Sequence, residues 1–352
     1  MGKLIRRLPC VFVGLSTFLL VAHAEAQAAH IGEDGRCVYV VPNHSTVYTD
    51  SGDVYAKDGT FLGNNVTACA ALAESGSTTS TSPGVSEDGP DYPTYVDAYA
   101  LHTGGWNNRY NYMDSQWFVP TGPDNRSHVG SLVFWNGLEG FVYGGACTTD
   151  AQCSSNTPSC DPGGTCEGWR LIQPILKWES PGSTPMCPPP AGWGAYIFAE
   201  YAFTGAAGDV QTCPIAVSLY DWIEGTMAMI DDNSGGDGDE WLIQVQDNSN
   251  SEIEPQQLDV RTGSANPAMQ YALLGVQEVH SLTACDGLST DSANYFYLNT
   301  LDQEGSSWYD FENVQDLVTV TSNWGGWSPS CSWGAGATWE GSYWLSDVTW
   351  AD

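Results

Sequence analysis

Beyond residue 94 the chain alternates apolar and polar positions in short runs, each closed by Gly, Pro, Asn or Asp. TYVDAYAL, SQWFVP, GSLVFWNGL, RLIQPILKW, WGAYIFAEYAF, IAVSL, DWIEGTMAMI, EWLIQVQD, QQLDVRT, YALLGVQEVH, NYFYLNTL, DLVTV and ATWEGSYWLSDVTW all follow this pattern. A period of two marks strands with one buried face, and the abundance of Trp, Tyr, Val and Thr reinforces it. No window there sustains a helical period. About a dozen such runs predict an all-β fold, a two-sheet antiparallel sandwich of the jelly-roll kind. A fixed internal repeat is absent, which argues against a propeller or β-helix. The segment 94–352 is long enough to bury its core as one domain.

The earlier residues read differently. Lys3, Arg6 and Arg7 precede an apolar stretch from Leu8 to Val21, and overlapping small-residue sites end at Ala24, Ala26 and Ala28. Residues 1–28 therefore read as a secretory signal, and the mature protein is expected to be secreted. Residues 29–73 form a small unit in which Cys37 and Cys69 could pair, with Asp58-Gly59 as a hairpin turn. Residues 74–93, rich in Ser, Thr, Gly and Pro, have nothing to bury and read as a linker. No later stretch approaches the roughly 18 apolar residues of a membrane helix, so no membrane partner is expected.

Charge narrows the function. The net charge is -32, and removing the signal leaves 41 acidic against 7 basic residues. Such a surface repels nucleic acid and anionic lipid. It also limits positive self-repulsion once carboxylates protonate, which suits work in acid; solubility in salt and a merely solvated surface are the other accounts.

Ten of the eleven cysteines lie beyond the signal, an even number that predicts disulfides in an exported chain. Cys147, Cys153, Cys160 and Cys166 mark a disulfide-rich insertion at 144–168. Their spacers exceed those of zinc knuckles and no histidine lies near. The run from Asp231 to Glu240 is oxygen-rich, but Leu242 stands where a calcium loop needs its twelfth-position carboxylate, so a hairpin tip is expected. No metal or cofactor is called for. Sequons at Asn43, Asn65 and Asn125 mark sites that could be exposed.

Two polar residues sit inside strand-like runs. In RLIQPILKW, Gln173 shares a face with Leu171, Ile175 and Lys177; in YALLGVQEVH, Glu278 groups with Ala272, Leu274, Val276 and His280. A carboxylate among such neighbours loses hydration and gains pKa, which suits proton transfer. No Ser or Cys occupies a nucleophile elbow near His280.

The series SLVFWNGL, LIQPILKW, WGAYIFAEYAF, DWIEGTMAMI, EWLIQVQD and LLGVQEVHSLTACDG resembles the eqolisins, the glutamic peptidases of the G1 family, over roughly Trp117 to Gly287. The resemblance implies a concanavalin-like sandwich and metal-independent peptide hydrolysis in acid. It makes Gln173 the oxyanion donor and Glu278 the general base. Pro174 and Ile175 follow Gln173, and Val279 and His280 follow Glu278, where the peptidases carry a small residue with Gly and a Trp. Trp193, Tyr196 and Glu200 fall in the family's aromatic substrate strand, and Trp135 precedes an Asn136-Gly137 turn; all four are candidate substrate contacts. The expected partner is a protein, peptide or glycan met by a monomer. The alternative function is a non-catalytic carbohydrate or cell-surface binding sandwich, with Trp135 and Trp193 as platforms. A glycosidase would need two flanking carboxylates, and no E-x-D-x-E strand supplies them.

Overall fold

The computed structural model describes residues 29–32, 36–74, 96–103, 110–154, 157, 159–180, 187, 192–203, 208–231, 239–263, 268–280, 284–289, 291, 293–303, 318–323, 331–339 and 344–351. The expected signal and all of the expected linker after Glu74, up to residue 93, lie outside them. In chain order the elements are β1 (Ala29–Ile31), β2 (Cys37–Val41), β3 (Ser45–Tyr48), β4 (Asp53–Tyr55), β5 (Phe61–Asn64), α1 (Asn65–Glu74), β6 (Val96–Thr103), β7 (Tyr110–Phe118), β8 (Ser131–Ala146), β9 (Ser159–Cys160), β10 (Thr165–Glu179), β11 (Gly194–Phe203), β12 (Asp209–Thr212), β13 (Ile215–Val217), β14 (Trp222–Asp231), β15 (Glu240–Asp247), β16 (Gln256–Arg261), β17 (Ala268–His280), β18 (Ala293–Gln303), β19 (Val318–Asn323), β20 (Ser332–Trp339) and β21 (Trp344–Ala351). Short 3-10 turns join some of them.

These strands make the predicted β-sandwich. The first sheet runs β1-β2-β12-β11-β10-β8-β17-β6-β19, with β9 and β13 on its flanks. The second runs β20-β21-β18-β7-β14-β15-β16-β3-β4-β5. Alternation places the core as the sequence implies. On β15, Trp241, Ile243 and Val245 point inward and Leu242, Gln244 and Gln246 outward. Between the sheets, Phe134, Leu138, Ile172, Leu176, Ile197 and Tyr201 meet Trp117, Met227, Ile243 and Leu258.

Glycine sets the closest approach. A Cβ on Gly225 would lie 2.5 Å from Pro174 Cγ and 2.8 Å from the Trp117 ring, so the sheets close there only over a residue without a side chain. Gly225→Ala is expected to cost about 1 to 3 kcal/mol by overpacking, read as a lowered thermal midpoint.

The N-terminal segment corrects an expectation. Residues 29–73 are not a separate unit: β2 pairs in parallel with β12, and β3 pairs in parallel with β16, so both sheets are mixed and both incorporate this segment. The Arg36 guanidinium bonds the buried Asp209 carboxylate and lies 5.3 Å from the Trp169 ring centre, tying the segment to the first sheet. The Asp58-Gly59 turn is as expected, with Gly59 at φ +83 and the Ala56 amide donating to the Thr60 carbonyl. Helix α1 is new. Asn64 caps it by accepting from the Thr67 amide at 2.9 Å, and Asn65, one of the sequon asparagines, is buried at its start.

All ten cysteines after residue 28 pair: Cys37–Cys69, Cys147–Cys160, Cys153–Cys166, Cys187–Cys213 and Cys285–Cys331. The Cys147, Cys153 and Cys166 sulfurs cluster within 4.8 Å, as a metal site would, but each is in a disulfide and offers no thiolate. Five disulfides fit an oxidising compartment. No helix among the described residues is long and apolar enough to cross a membrane. Asp231 and Glu240 pair at the ends of β14 and β15, so the oxygen-rich run does bridge a hairpin; residues 232–238 lie outside the described ones.

Candidate active site on the first sheet

Strand β8 lies between β10 and β17, and its register decides which residues meet. Ile172 faces Leu138 and Ile175 faces Trp135, which sets Gln173 opposite Gly137. Gly137 in turn faces Leu273 on β17. The β17 position in line with Gln173 is therefore Leu273, not Glu278. Glu278 faces Val133, which also faces Lys177, four residues along β10 from Gln173. Two strand spacings and four residues of rise separate the Gln173 and Glu278 backbones by roughly 16 Å. The expected pair does not come together.

A bulge explains part of the misreading. Between Leu273 and Val276 the β17 register shifts, at Gly275, whose φ is +66. The extra residue inverts the alternation. Ala272 and Leu274 pack between the sheets, while Leu273 and Val276 pack on the outer side of the first sheet, so YALLGVQEVH does not present one continuous face. Asn136 holds the bulge. Its side chain accepts from the Gly275 amide and donates to Ser115 Oγ on the second sheet. Asn136-Gly137 is accordingly no turn; both residues lie inside the sixteen-residue β8.

Around Gln173 a different set of groups converges. Its Nε2 donates to Glu200 Oε1 at 2.7 Å, across the directly paired positions of β10 and β11. An ionised carboxylate only accepts, which fixes the orientation of the amide. Glu139 on β8 faces Leu171 and Tyr271, one diagonal step from Gln173 on the same outer side. Glu139 and Gln173 are each only 6 % exposed. Burial raises the Glu139 carboxyl from its ordinary 4.5 to about 7. The Trp135 ring and Leu171 fill the space left by Gly137, where a Cβ would lie 2.6 Å from the ring and 2.9 Å from Leu171.

Polar groups continue from Glu139 toward the surface. Burial, and then the charges of Glu139 and Glu167, raise the Tyr271 phenol. Tyr143, opposite Glu167, is exposed. Phe141 stacks with Tyr143 at 6.4 Å and meets Tyr271 edge-on at 5.8 Å, keeping both phenols in one strip.

Of the four expected substrate contacts, Glu200 belongs to this group. The other three are not open platforms. Trp135 and Tyr196 are each 2 % exposed, and the Tyr196 hydroxyl donates to the Gly192 carbonyl at 2.6 Å. Trp193 packs against the cluster that fills the sandwich interior. Period two does place Glu139 on one face with Trp135 and Gly137, so a carboxylate inside FWNGLEG was the available signal for the residue that sequence reasoning missed.

No family model and no curated protein matches the sequence. Among solved structures, the marine PL-14 alginate lyase from Aplysia kurodai aligns over 64 % of this chain and 69 % of its own, at 9 % identity and a TM-score of 0.19. At that score the likeness carries neither fold nor chemistry to this chain.

Proposed function

We propose that the protein is an exported, acid-active peptide hydrolase in which Glu139 and Glu200 act as acid and base, with the Gln173 amide between them. The observation that carries this reading is the contrast between two nearby carboxyls. Burial raises the Glu139 carboxyl to about 7, whereas Glu200 is less buried and accepts a hydrogen bond from the Gln173 amide. The resemblance of the Gln173 strand to glutamic peptidases supplies the substrate class. The general-base role moves from Glu278 to Glu200, and Glu139 is added as the acid.

In this mechanism Glu200 takes a proton from water as the water oxygen adds to the scissile carbonyl carbon. Glu139 gives its proton to the carbonyl oxygen, and the second amide hydrogen of Gln173 stabilises charge on that oxygen. The carbon–nitrogen bond then breaks. Glu200 returns its proton to the leaving amine, and Glu139 regains one from the new carboxyl group. No metal enters the cycle.

One oxyanion donor typically supplies about 2.7 to 4 kcal/mol, so Gln173→Ala should lower kcat on an acid-denatured protein by on the order of a hundredfold or more. Cleavage should persist in chelator. Undiminished turnover in the variant would remove Gln173 from the chemistry.

A further inference from the structure

The outward face of the second sheet carries a second, unrelated array. Trp222 pairs with Phe118, and Glu224 with Gln116; Tyr297 on β18 pairs with Gln116 from the other side. Four rings thus lie side by side on three strands. Phe118 and Trp222 are 4.3 Å apart, Trp222 and Tyr297 5.5 Å, Phe118 and Tyr297 6.1 Å, and Tyr295 and Tyr297 6.1 Å. Apolar rings on a solvent face are unusual at this density: Phe118 is 41 % and Tyr295 43 % exposed.

The rings adjoin polar groups already held in place. Trp222 Nε1 donates to Gln116 Oε1 at 2.6 Å, which fixes the indole. Gln246 and Asn248 donate to Glu224 Oε2 at 3.0 and 2.6 Å, and Thr226 donates to Asp114 at 2.7 Å. A ligand finding these groups pre-set loses less side-chain entropy on binding.

We propose that this face binds an extended neutral polysaccharide, with pyranose C–H faces on Trp222 and Tyr297, whose ring planes lie 33° apart, with Phe118 packed edge-on beside them, and with hydroxyls bonded to Gln116, Glu224 and Gln246. Aromatic faces take apolar ring surface, and amides and carboxylates exchange hydrogen bonds with hydroxyls. Charge selects the class. Glu224 is one of the contacts and Asp114 lies beside it on the same sheet, while Arg261 is engaged by Glu240 and the Tyr48 hydroxyl. Uronate or sulfated chains are repelled from such a surface. Amides and carboxylates border the contiguous rings, which favours a hydroxyl-rich ligand over a wholly apolar one. The site is on the opposite sheet from Glu139 and stands independently of the proposed hydrolysis.

Native gel electrophoresis of the mature protein through hydroxyethyl cellulose, neutral arabinoxylan and polygalacturonate tests it. Retardation by at least one neutral polymer and none by polygalacturonate is expected. Trp222→Ala and Tyr297→Ala should each weaken binding about tenfold, Trp222→Phe should restore part of it, and Glu139→Gln should leave it unchanged. Should Trp222→Ala fail to fold, Phe118→Ser and Tyr295→Ser at the exposed positions carry the same test. Passage of the protein through both neutral polymers unretarded, or retardation that survives loss of the rings, would overturn the proposal.

Discussion

Glu139→Gln is expected to lower peptide hydrolysis by on the order of a hundredfold or more while raising stability at neutral pH. The two effects share one cause. Below about pH 4.5 the carboxyl is protonated in both the folded and unfolded chain and does not distinguish them. Between there and about 7 the unfolded chain releases the proton and the folded chain keeps it, so stability falls as pH rises. Above about 7 the loss is complete. A shift from 4.5 to about 7 corresponds to about 3 kcal/mol. Glutamine has nothing to titrate, so denaturant unfolding at pH 4 and pH 8 should show the wild type losing about that much relative to the variant. Glu278→Gln, whose position is out of register with Gln173, should leave hydrolysis near wild type. Loss of activity in Glu278→Gln with full activity in Glu139→Gln would reverse the assignment.

Deleting residues 29–73 is expected to abolish folding, which separates an integral segment from a removable propeptide. The segment contributes β2 and β3 to parallel pairs in both sheets, and Tyr39, Val41, Val47 and Val54 to the interior. Fully burying a side chain of this kind contributes about 1.5 to 3 kcal/mol. Four of them rival the roughly 5 to 15 kcal/mol by which a domain is stable at all. Residues 94–352, exported alone, should show no cooperative thermal transition by circular dichroism and should be degraded by added protease. A cooperative, protease-resistant product would mark 29–73 as dispensable.

Alternation made the sandwich legible. In strands such as β15 every second residue is apolar, and each such residue is buried, because a two-layer fold has one interior. The Asp58-Gly59 turn was legible because its chemistry is local. What failed was the information that pairing supplies. Asn136-Gly137 carries the same turn signature, yet long apolar flanks pair with β10 and β17 and override it. One added residue at Gly275 shifts β17 against β8, and no periodicity marks it. The parallel pairs of β2 and β3 join segments distant in sequence, which no local pattern encodes. Helix α1 escaped notice because it is short, although Asn64 and an alanine-rich run were its signal. Gln173 stands out in the sequence because a strand glutamine amid aliphatics is conspicuous. Glu139 was passed over because its partners come from β10 and β17.

In the proposed hydrolysis a buried, protonated Glu139 works beside the Gln173–Glu200 pair. Its most direct test is the pH dependence of kcat/KM for cleavage of a denatured protein, from pH 3 to pH 9. Activity should be present below neutrality and be lost as pH rises through about 7, where Glu139 gives up its proton. Activity that instead climbs through that range, or stays level across it, would remove Glu139 as the acid.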